Sequence, residues 1–586
     1  FLSQQKPLLC LYVLRSKLKS ELEAFISEEQ VVHISEFNKR ISDVMGDFSV
    51  PFVYERIGEQ YKQVFIDEFQ DTSILQWQNL IPLVDNSLSS NAMSMVVGDG
   101  KQSIYRFRSG EVEQLVQLPE IYRKPNGSAA FDTFENNFKT CFHFTNLGTN
   151  YRSFKNIVTF NNRFFETVVK DLPESIQKVY QDNNEPYKKK VSIFQQPHHK
   201  EEGLVQVELY AKTVKDTDIV LERIKTLIEE IVSHGFSHND ITLLVRDNRK
   251  GSLIANYLNN NNIPVVSSDS ILLQSSDKVL LVINTLNYLI HSDNEANIAD
   301  LIHKWHVTHD EGHCQQLAGL FDTVKDIASN KKDIEAAINL DSGLLRMLLS
   351  QSYSLYDLCS ALMNAFGFDS TQDPYLNYLL EEIHLWQSQQ ELGIAGFLDY
   401  WDKKKDRLAV RSSESDAITI MTIHKAKGLE FNVVIYPFAS NNLADRFDCE
   451  VWETPETIGL SAIPNLDKVK IRVSSKIADW NEAANSYYQK EKESAELDDL
   501  NILYVAFTRA VQRLYVLATR TDSKGEPEKQ IIERALADAE ANIDEQESDT
   551  EHTVYRFGDP ESEKVVQKIK ENLSKELPIH DTVSSS

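Results

Sequence analysis

Two adjacent carboxylates, Asp67 and Glu68, follow a short apolar run at 64–66 and open the heptapeptide Asp-Glu-Phe-Gln-Asp-Thr-Ser. Acids at the end of a buried parallel strand suit nucleotide hydrolysis, because one can hold Mg²⁺ while the other polarises the attacking water. By itself the pair fits the acidic start of an ordinary helix equally well. The phosphate-binding pattern G-x-x-x-x-G-K-[ST], which should accompany such a pair, occurs nowhere in the 586 residues.

A second motif, at residues 96–108, supports the interpretation that Asp67 and Glu68 serve nucleotide hydrolysis. Here a short apolar run ends in a glycine turn, and an amide side chain, Gln102, is followed by aromatics interleaved with arginines. Aromatic faces stack on bases and arginines neutralise phosphates, so this combination is typical of single-stranded nucleic-acid binding. The alternative is an ordinary glycine turn followed by an amphipathic helix. Gly98 to Ser103 is not itself a phosphate loop, since Lys101 is followed by Gln102 and the two glycines are too close together.

Length and composition indicate a soluble protein of several domains. At 586 residues the chain is too long for one hydrophobic core, and about three to four domains are expected. The five cysteines are scattered and odd in number, which favours a reduced, cytoplasmic protein. The net charge of −27 does not exclude a nucleic-acid partner, because such binding depends on a local basic stripe.

The order of the segments predicts an α/β fold. Runs at 61–66 and 93–97 each end in a polar motif, and the first is followed by an amphipathic helical stretch at 74–84. This repetition predicts a parallel sheet with functional groups at the carboxyl ends of its strands. A second set of strand-type segments occurs at 204–210, 241–245, 417–421, 433–436 and 513–517. Because 280–410 has helical periodicity, we expect a helical domain inserted into a second α/β domain.

These motifs together resemble those of superfamily 1 helicases of the UvrD/RecB type. Besides the two motifs above, Asn-Tyr-Arg-Ser at 150–153 is similar to that family's NYRS element. Residues 422–431 resemble its T-x-H-x-x-K-G-L-E-F element, and 503–510 its L-Y-V-A-x-T-R-A element. The sequence Tyr-Arg-Phe-Gly at 555–558 further resembles the AddA/RecB helicase–nuclease branch. The resemblance implies two RecA-like parallel α/β domains, the first incomplete here, with the helical domain inserted in the second.

The resemblance assigns five side chains to ATP hydrolysis. Asp67 would coordinate Mg²⁺, and Glu68 would orient or deprotonate the attacking water. Gln102 is similar to the glutamine that senses the γ-phosphate and links hydrolysis to the grip on DNA. Arg152 and Arg509 occupy arginine-finger positions, which in related NTPases accelerate the reaction by about 10³–10⁵.

The same resemblance assigns further residues to the nucleotide and to DNA. Tyr151 would stack on the adenine and Glu430 would accept a hydrogen bond from the ribose, with Gly428 in the same nucleotide-binding element. Phe107 occupies the position of the base-stacking aromatic. The other residues expected along the DNA strand are Tyr105, Arg108, Thr422 and His424.

The positions of the motifs imply a domain plan for a piece of a longer protein. We expect a helical remnant at 1–60, a partial first RecA-like domain at 61–140, and the second RecA-like domain at 141–285 and 411–525. The inserted helical domain would occupy 286–410, and 526–586 would be an acidic linker towards a nuclease domain. The phosphate loop would then precede Phe1.

Two hypotheses on function follow. In the first, the chain belongs to an ATP-driven 3′→5′ DNA translocase that acts at double-strand ends, uses ATP and Mg²⁺ as cofactors and pairs with a second, AddB-like subunit. In the second, it is an ATPase-dead, DNA-binding scaffold of such a complex. Retention of all five hydrolytic side chains favours the first, because a scaffold has no physical need for them.

Histidines cluster at His303, His306, His309 and His313, with Cys314 beside the last. Histidines three residues apart share one helix face, so zinc is conceivable. Nothing in the family resemblance requires a metal there, and the interpretation without a metal site is favoured.

The missing phosphate loop leads to a first prediction. We expect residues 1–586 alone to show negligible DNA-stimulated ATP hydrolysis, because the lysine and backbone N–H groups that hold the β- and γ-phosphates are absent. A steady-state phosphate-release assay with single-stranded DNA measures this. Robust turnover by the purified chain would contradict it.

Overall fold

The structure is a computed structural model that describes residues 9–29, 61–125, 129–184, 187, 189–211, 217–267, 273–309, 320–328, 334, 338, 353–369, 373–389, 393–405, 408, 416–439, 449–460, 468–519, 531–539, 545–548 and 552–565. These residues separate into two compact units. The first takes its described residues from Phe1–Arg246 and Thr422–Ser586, and the second from Asp247–Met421.

The helices of the described residues are α1 Leu9–Glu29, α2 Ile74–Ser89, α3 Glu113–Gln117, α4 Ala129–Cys141, α5 Lys155–Val169, α6 Glu174–Tyr180, α7 Thr217–Ser233, α8 Asn248–Asn260, α9 Asp277–Ile290, α10 Glu295–His309, α11 Leu320–Ala328, α12 Leu355–Ala365, α13 Pro374–Gln389, α14 Ile394–Lys404, α15 Ile423–Ala426, α16 Glu482–Phe507 and α17 Ile531–Ala539. The strands are β1 Phe65–Ile66, β2 Met95–Val96, β3 Thr149–Asn150, β4 Asp182–Asn184, β5 Lys189–Val191, β6 Gln196–Pro197, β7 Leu204–Tyr210, β8 Ile241–Val245, β9 Val265–Ser267, β10 Ile418–Thr422, β11 Phe431–Ala439, β12 Cys449–Glu453, β13 Val469–Val473, β14 Ala510–Thr519, β15 Glu545–Ser548 and β16 His552–Phe557.

A mostly parallel sheet forms the centre of the first unit. Six strands pair in the order β15-β16-β7-β14-β11-β8. Strands β7, β14, β11 and β8 are parallel to one another, whereas β16 runs antiparallel to β7 and β15 antiparallel to β16. Every residue of β7 and of β8 is buried, as expected for parallel strands that are covered on both faces.

A second, shorter parallel pair lies in the same unit. Strand β1 pairs with β2, with Phe65 opposite Met95 and Ile66 opposite Val96. Helix α2 follows β1 closely, and Ser73 and Gln76 form a capping box at its start. Its apolar positions Trp77 and Ile81 are buried, four residues apart on one helix face. This face covers the pair, where the rings of Phe69 and Trp77 meet edge to face at 4.9 Å.

The second unit combines a short parallel pair with helices. Strand β10 pairs with β9, placing Ile418 opposite Val265. Helices α9 to α14 enclose an apolar core that includes Leu281, Leu301, Leu362 and Phe397. The expected helical character of 280–410 therefore holds for the described part of that segment. Its treatment as a separate inserted domain, like the predicted domain boundaries, remains a prediction.

The α/β class predicted from the sequence is confirmed. The predicted strands at 204–210 and 241–245 coincide with β7 and β8, and those at 433–436 and 513–517 lie inside the longer β11 and β14. The runs at 61–66 and 93–97 contain only the two-residue strands β1 and β2. Among the described helices, none is long and apolar enough to cross a membrane.

Candidate functional site

The acid pair and the second motif lie side by side because β1 and β2 are parallel. The backbone N–H of Val97 donates to the carbonyl of Ile66 at 2.8 Å, and that of Phe69 donates to the carbonyl of Val97 at 2.9 Å. The carboxyl ends of the two strands therefore coincide, so both motifs emerge at the same edge.

Glu68 adopts a left-handed backbone conformation, with φ of 51°, which is unusual for a residue other than glycine. Its N–H donates to Oδ1 of Asp67 at 2.8 Å, and its carboxylate accepts a short hydrogen bond from the buried amide of Gln70. Both acids are exposed. Exposed carboxylate oxygens are the ligands that Mg²⁺ prefers, so Asp67 fits a role as a magnesium ligand.

Gln102 and Gln70 meet around Asp99. The amide of Gln102 donates to Oδ2 of Asp99 at 2.9 Å, and the N–H of Asp99 donates to Oε1 of Gln70 at 3.0 Å. The buried ammonium of Lys101 lies 2.6 Å from Oδ1 of Asp99. Burial raises the pKa of Asp99, but the charge and hydrogen bonds of Lys101 outweigh it and leave the pKa below its usual value.

A buried lysine from the later motif reaches this cluster. The Lys427 ammonium donates to the carbonyl of Gln102 at 2.7 Å, forms a short ion pair with Asp71 and lies 3.5 Å from Oε2 of Glu68. Burial is the main reason that the pKa of Asp71 is raised, against the opposing effect of Lys427. Lys427 therefore connects the acid pair, Gln102 and the segment of Thr422 and His424.

The two predicted arginine fingers lie together. The Asn150 side chain accepts hydrogen bonds from the N–H groups of Arg152 and Ser153 at 3.0 and 2.9 Å, which shapes the turn. The Arg152 guanidinium then donates to the carbonyl of Thr508 at 3.3 Å. Arg509 is buried and donates to the carbonyls of Val505 and Leu429 and to the hydroxyl of Thr508.

Burial, followed by the positive charge of Arg152, lowers the pKa of Arg509 to about 10. The Arg509 guanidinium therefore stays protonated at neutral pH. Two neighbouring cations that repel each other are suited to a polyanionic ligand, because an added phosphate would relieve the repulsion.

The residues predicted to hold the base and ribose lie near this arginine pair. Tyr151 is 67% exposed, and its ring centroid is 4.6 Å from that of His198. The Glu430 carboxylate accepts from Nε of Arg152 at 3.2 Å. Gly428, two residues earlier, has φ of +82°, a conformation that favours glycine.

The predicted DNA-binding residues form one aromatic and basic cluster. Phe107 is 69% exposed, and its ring meets that of His424 edge to face at 5.4 Å. The Tyr105 hydroxyl donates to the carbonyl of His424 at 2.9 Å. The Arg108 guanidinium lies over the rings of Tyr105 and Phe107, at 5.3 and 5.5 Å. Thr422 is the residue immediately before helix α15, which carries His424.

Charge near His424 affects its protonation. Burial is the main cause that lowers the pKa of His424, and the positive charges of Arg246 and Arg108 lower it further. Arg246, just after the end of β8, therefore belongs to the electrostatic surroundings of the cluster, although sequence reasoning did not single it out.

Sequence reasoning also missed the polar residues that connect the predicted ones. Gln70 and Asp71 lie within the acid-pair motif, and Lys427 within the later T-x-H-x-x-K-G element, so their motif membership was the available signal. Asp99 lies within the motif at 96–108 and had the same signal, whereas Asn501 lies outside the motifs and its role depends on contacts between distant segments.

The histidine cluster is only partly within the described residues. His303, His306 and His309 lie on helix α10, whereas His313 and Cys314 lie outside them. Among the residues that the structure describes, no group of three potential metal ligands is placed to hold a metal ion.

Comparison with protein families identifies the class of this protein. The chain matches the UvrD/REP helicase N-terminal domain over residues 13–123 and the UvrD-like helicase C-terminal domain over residues 145–317 and 307–521. The chain belongs to the UvrD-like helicase family.

Curated relatives refine this placement, and each is named as a subunit of an ATP-dependent helicase/nuclease. The chain is 22% identical to the relative from Oceanobacillus iheyensis over 515 residues, covering 79% of the chain and 40% of that relative. It is 24% identical to the relative from Oenococcus oeni, covering 80% of the chain and 40% of the relative. The chain is 24% identical to the relative from Streptococcus suis, covering 78% of the chain and 39% of the relative. The chain thus spans about two fifths of the length of these relatives.

The Asp99–Lys101 pair leads to a prediction on stability. Lys101→Met leaves the Asp99 carboxylate without its cation, and we expect a loss of roughly 1–3 kcal/mol in the free energy of unfolding at pH 7. Urea unfolding followed by tryptophan fluorescence measures it. The double variant D99N/K101M is the matched control and should recover part of the loss.

The loss should also depend on pH with a definite sign. Because the folded pKa of Asp99 is depressed, its ionised form contributes stability above the unfolded pKa of about 3.9 and loses that contribution as pH falls through the folded value. The difference between wild type and K101M should therefore shrink below about pH 4. A difference that stays constant from neutral pH down through the folded pKa would show that Asp99 is not the linked group.

Proposed function

We propose that the chain is the motor part of an ATP-dependent DNA helicase or translocase, in which ATP hydrolysis drives 3′→5′ movement along single-stranded DNA. One observation carries this proposal. The acid pair, the glutamine sensor and the aromatic cluster lie on the loops at the carboxyl ends of two paired strands, and Lys427 joins them. The 3′→5′ polarity rests on the family likeness alone.

The nucleotide would occupy the edge where β1 and β2 end. Asp67 would hold Mg²⁺, which would neutralise phosphate charge, and Glu68 would accept the proton of the attacking water. Gln102, which Asp99 orients, would contact the γ-phosphate. Arg152 and Arg509 would approach the same phosphate from the side of the later motif.

The base and the ribose would be held by the segment around Arg152. The exposed ring of Tyr151 offers a face for the adenine. The Glu430 carboxylate would accept a ribose hydroxyl, and it would have to release part of its contact with Arg152. That exchange would free Arg152 for the phosphates.

DNA would lie across the aromatic cluster. The exposed ring of Phe107 would stack on a base, and Arg108 would contact a phosphate. Tyr105, Thr422 and His424 would line the path of the strand. A single strand is favoured over a duplex because only an unpaired base presents its face to the Phe107 ring.

The relatives support a role in the processing of DNA ends. They are named as parts of an ATP-dependent helicase/nuclease, so we propose that the whole protein joins a second subunit of the AddB type. The complex would act at double-strand breaks in repair and recombination. A cytoplasmic location agrees with this role.

An ATPase-dead scaffold is the alternative function. The retained geometry favours the motor, because the hydrogen bonds of Gln70, Asp99 and Lys427 orient residues that a scaffold would not use. ATP hydrolysis that is lost when Glu68 is replaced would support the motor and exclude the scaffold.

DNA binding provides the first test. Phe107→Ala should weaken binding of an oligo-dT strand by about 1–3 kcal/mol, because one base loses its stacking partner. Fluorescence anisotropy of a labelled strand measures this on the 586-residue chain. Phe194, which is 50% exposed, offers a matched control, and F194A should leave the affinity unchanged. Equal affinities for wild type and F107A would make Phe107 a packing residue.

Hydrolysis provides the second test. In a form of the protein that includes a phosphate loop, Glu68→Gln should lower kcat for ATP at least about a hundredfold, because the general base is lost. Binding of a fluorescent ATP analogue should stay within a fewfold of wild type. An unaltered kcat would refute the assignment of Glu68, whereas a wild-type protein that does not hydrolyse ATP would favour the scaffold.

A further inference from the structure

Helix α16 forms ion pairs with the segment that carries Phe107, the proposed base-stacking aromatic. Nε of Arg106 lies 2.7 Å from Oδ2 of Asp498, and Nη1 of Arg106 lies 2.9 Å from Oε2 of Glu491. Both acids belong to α16, and their separation corresponds to about two turns on one helix face. The Arg106 guanidinium therefore bridges two carboxylates along this face.

The same helix contacts the preceding loop through one buried amide. Asn501 follows Asp498 by three residues and is fully buried. Its Nδ2 donates to the carbonyl of Gly100 at 3.1 Å and to that of Ser103 at 2.9 Å. Its Oδ1 accepts from the Tyr180 hydroxyl at 3.0 Å. All three hydrogen bonds are buried, where the loss of any partner is costly.

The two arginines beside Phe107 therefore have different surroundings. Arg106 points to α16, where burial acts to lower its pKa but the two acids outweigh burial and raise the pKa above its usual value. Arg108 instead lies over the rings of Tyr105 and Phe107, on the exposed side of the segment. The positive charge of Arg106, although its side chain is 39% exposed, is already balanced by two acids of α16, whereas that of Arg108 faces the expected path of DNA.

We propose that Arg106 and Asn501 are positioning residues through which helix α16 sets the orientation of the Phe107 ring, and that Arg108, not Arg106, contacts a DNA phosphate. This inference rests on the proposed function. Helix α16 ends at Phe507, two residues before Arg509, so this helix leads directly to the nucleotide-side arginine and also bonds to the segment with the DNA-side aromatic. A displacement of α16 would move both.

The experiment measures two properties separately, namely the position of the Phe107 ring and the contacts with DNA phosphates. The 586-residue chain binds a single strand that contains 2-aminopurine, whose fluorescence reports stacking, and the affinity is measured over a range of salt concentrations. Binding by wild type should change the fluorescence, and F107A should abolish that change. R106Q and D498N should each lose at least about half of the change and bind roughly 3- to 10-fold more weakly, because the ring is misplaced.

The salt dependence of binding distinguishes a residue that contacts a phosphate from a residue that only positions the Phe107 ring. R108Q should reduce the slope of log K against log salt by about 0.7, the value for one phosphate contact on a single strand. R106Q and D498N should leave the slope unchanged. The double variant R106Q/D498N should be no worse than either single variant, because both remove the same interaction. K178Q, which breaks the exposed pair of Lys178 and Glu174 on α6, is the control for loss of a positive charge.

Asn501 is tested by N501D, which keeps the shape, and by N501L, with circular dichroism to check folding. N501L should lose the 2-aminopurine change without a change in salt slope, and N501D should retain more of it. If N501L does not fold, the Arg106 and Asp498 variants still decide the proposal.

Two results would overturn this inference without contradicting the proposed function. A salt slope that falls in R106Q as it does in R108Q would make Arg106 a phosphate contact. A stacking signal that depends on Phe107 but is unaltered in R106Q, D498N and N501L would remove their positioning role. By contrast, a wild-type chain that does not bind single strands, or a signal insensitive to F107A, would overturn the proposed function as well.

Discussion

The parallel pairing of β1 with β2 is the constraint on which the rest of the site depends. Hydrogen bonds between 64–69 and 95–97 bring the two strand ends to the same level. The chain must then turn at both ends, and it does so with Glu68 in a left-handed conformation and with a turn at Gly98 to Gly100. A Cβ at Gly98 would lie 2.8 Å from Oε1 of Gln70, so a side chain there would displace the Gln70 amide from its hydrogen bond with the N–H of Asp99.

In a chain with a net charge of −27, most cations around the candidate site are paired with nearby acids. Lys101 is matched by Asp99, Lys427 by Asp71, and Arg106 by two acids of α16. These pairs join the loops to one another and to α16. Arg152 and Arg509 differ, because two cations lie close together and, within the described residues, Glu430 is the one carboxylate bonded to either of them. Arg152 and Arg509 are therefore less compensated than Lys101, Lys427 and Arg106.

Much of the fold could be predicted because periodicity reflects burial directly. The apolar runs of β7 and β8 are buried on both faces, and their bounds agree with the sequence expectation. The bounds of β11 and β14 were underestimated, since polar residues such as Asn432 and Gln512 continue those strands. The Gln512 amide bonds to the Asn432 side chain and to the carbonyl of Val565, which a periodicity argument cannot anticipate.

The candidate site, like the fold, could be predicted from the sequence only in part. The sequence motifs predict which residues carry the chemistry, because they occur in the family's order and each residue type matches a step of nucleotide hydrolysis or DNA stacking. How these residues are held is visible only in the folded chain: Gln102 bonds to Asp99, Lys427 reaches the acid pair, and Arg106 turns to α16 while Arg108 does not. The physical reason is distance along the chain. The contact of Arg106 with Asp498 joins positions 392 residues apart, and no local pattern encodes which of two neighbouring arginines will find its partner there.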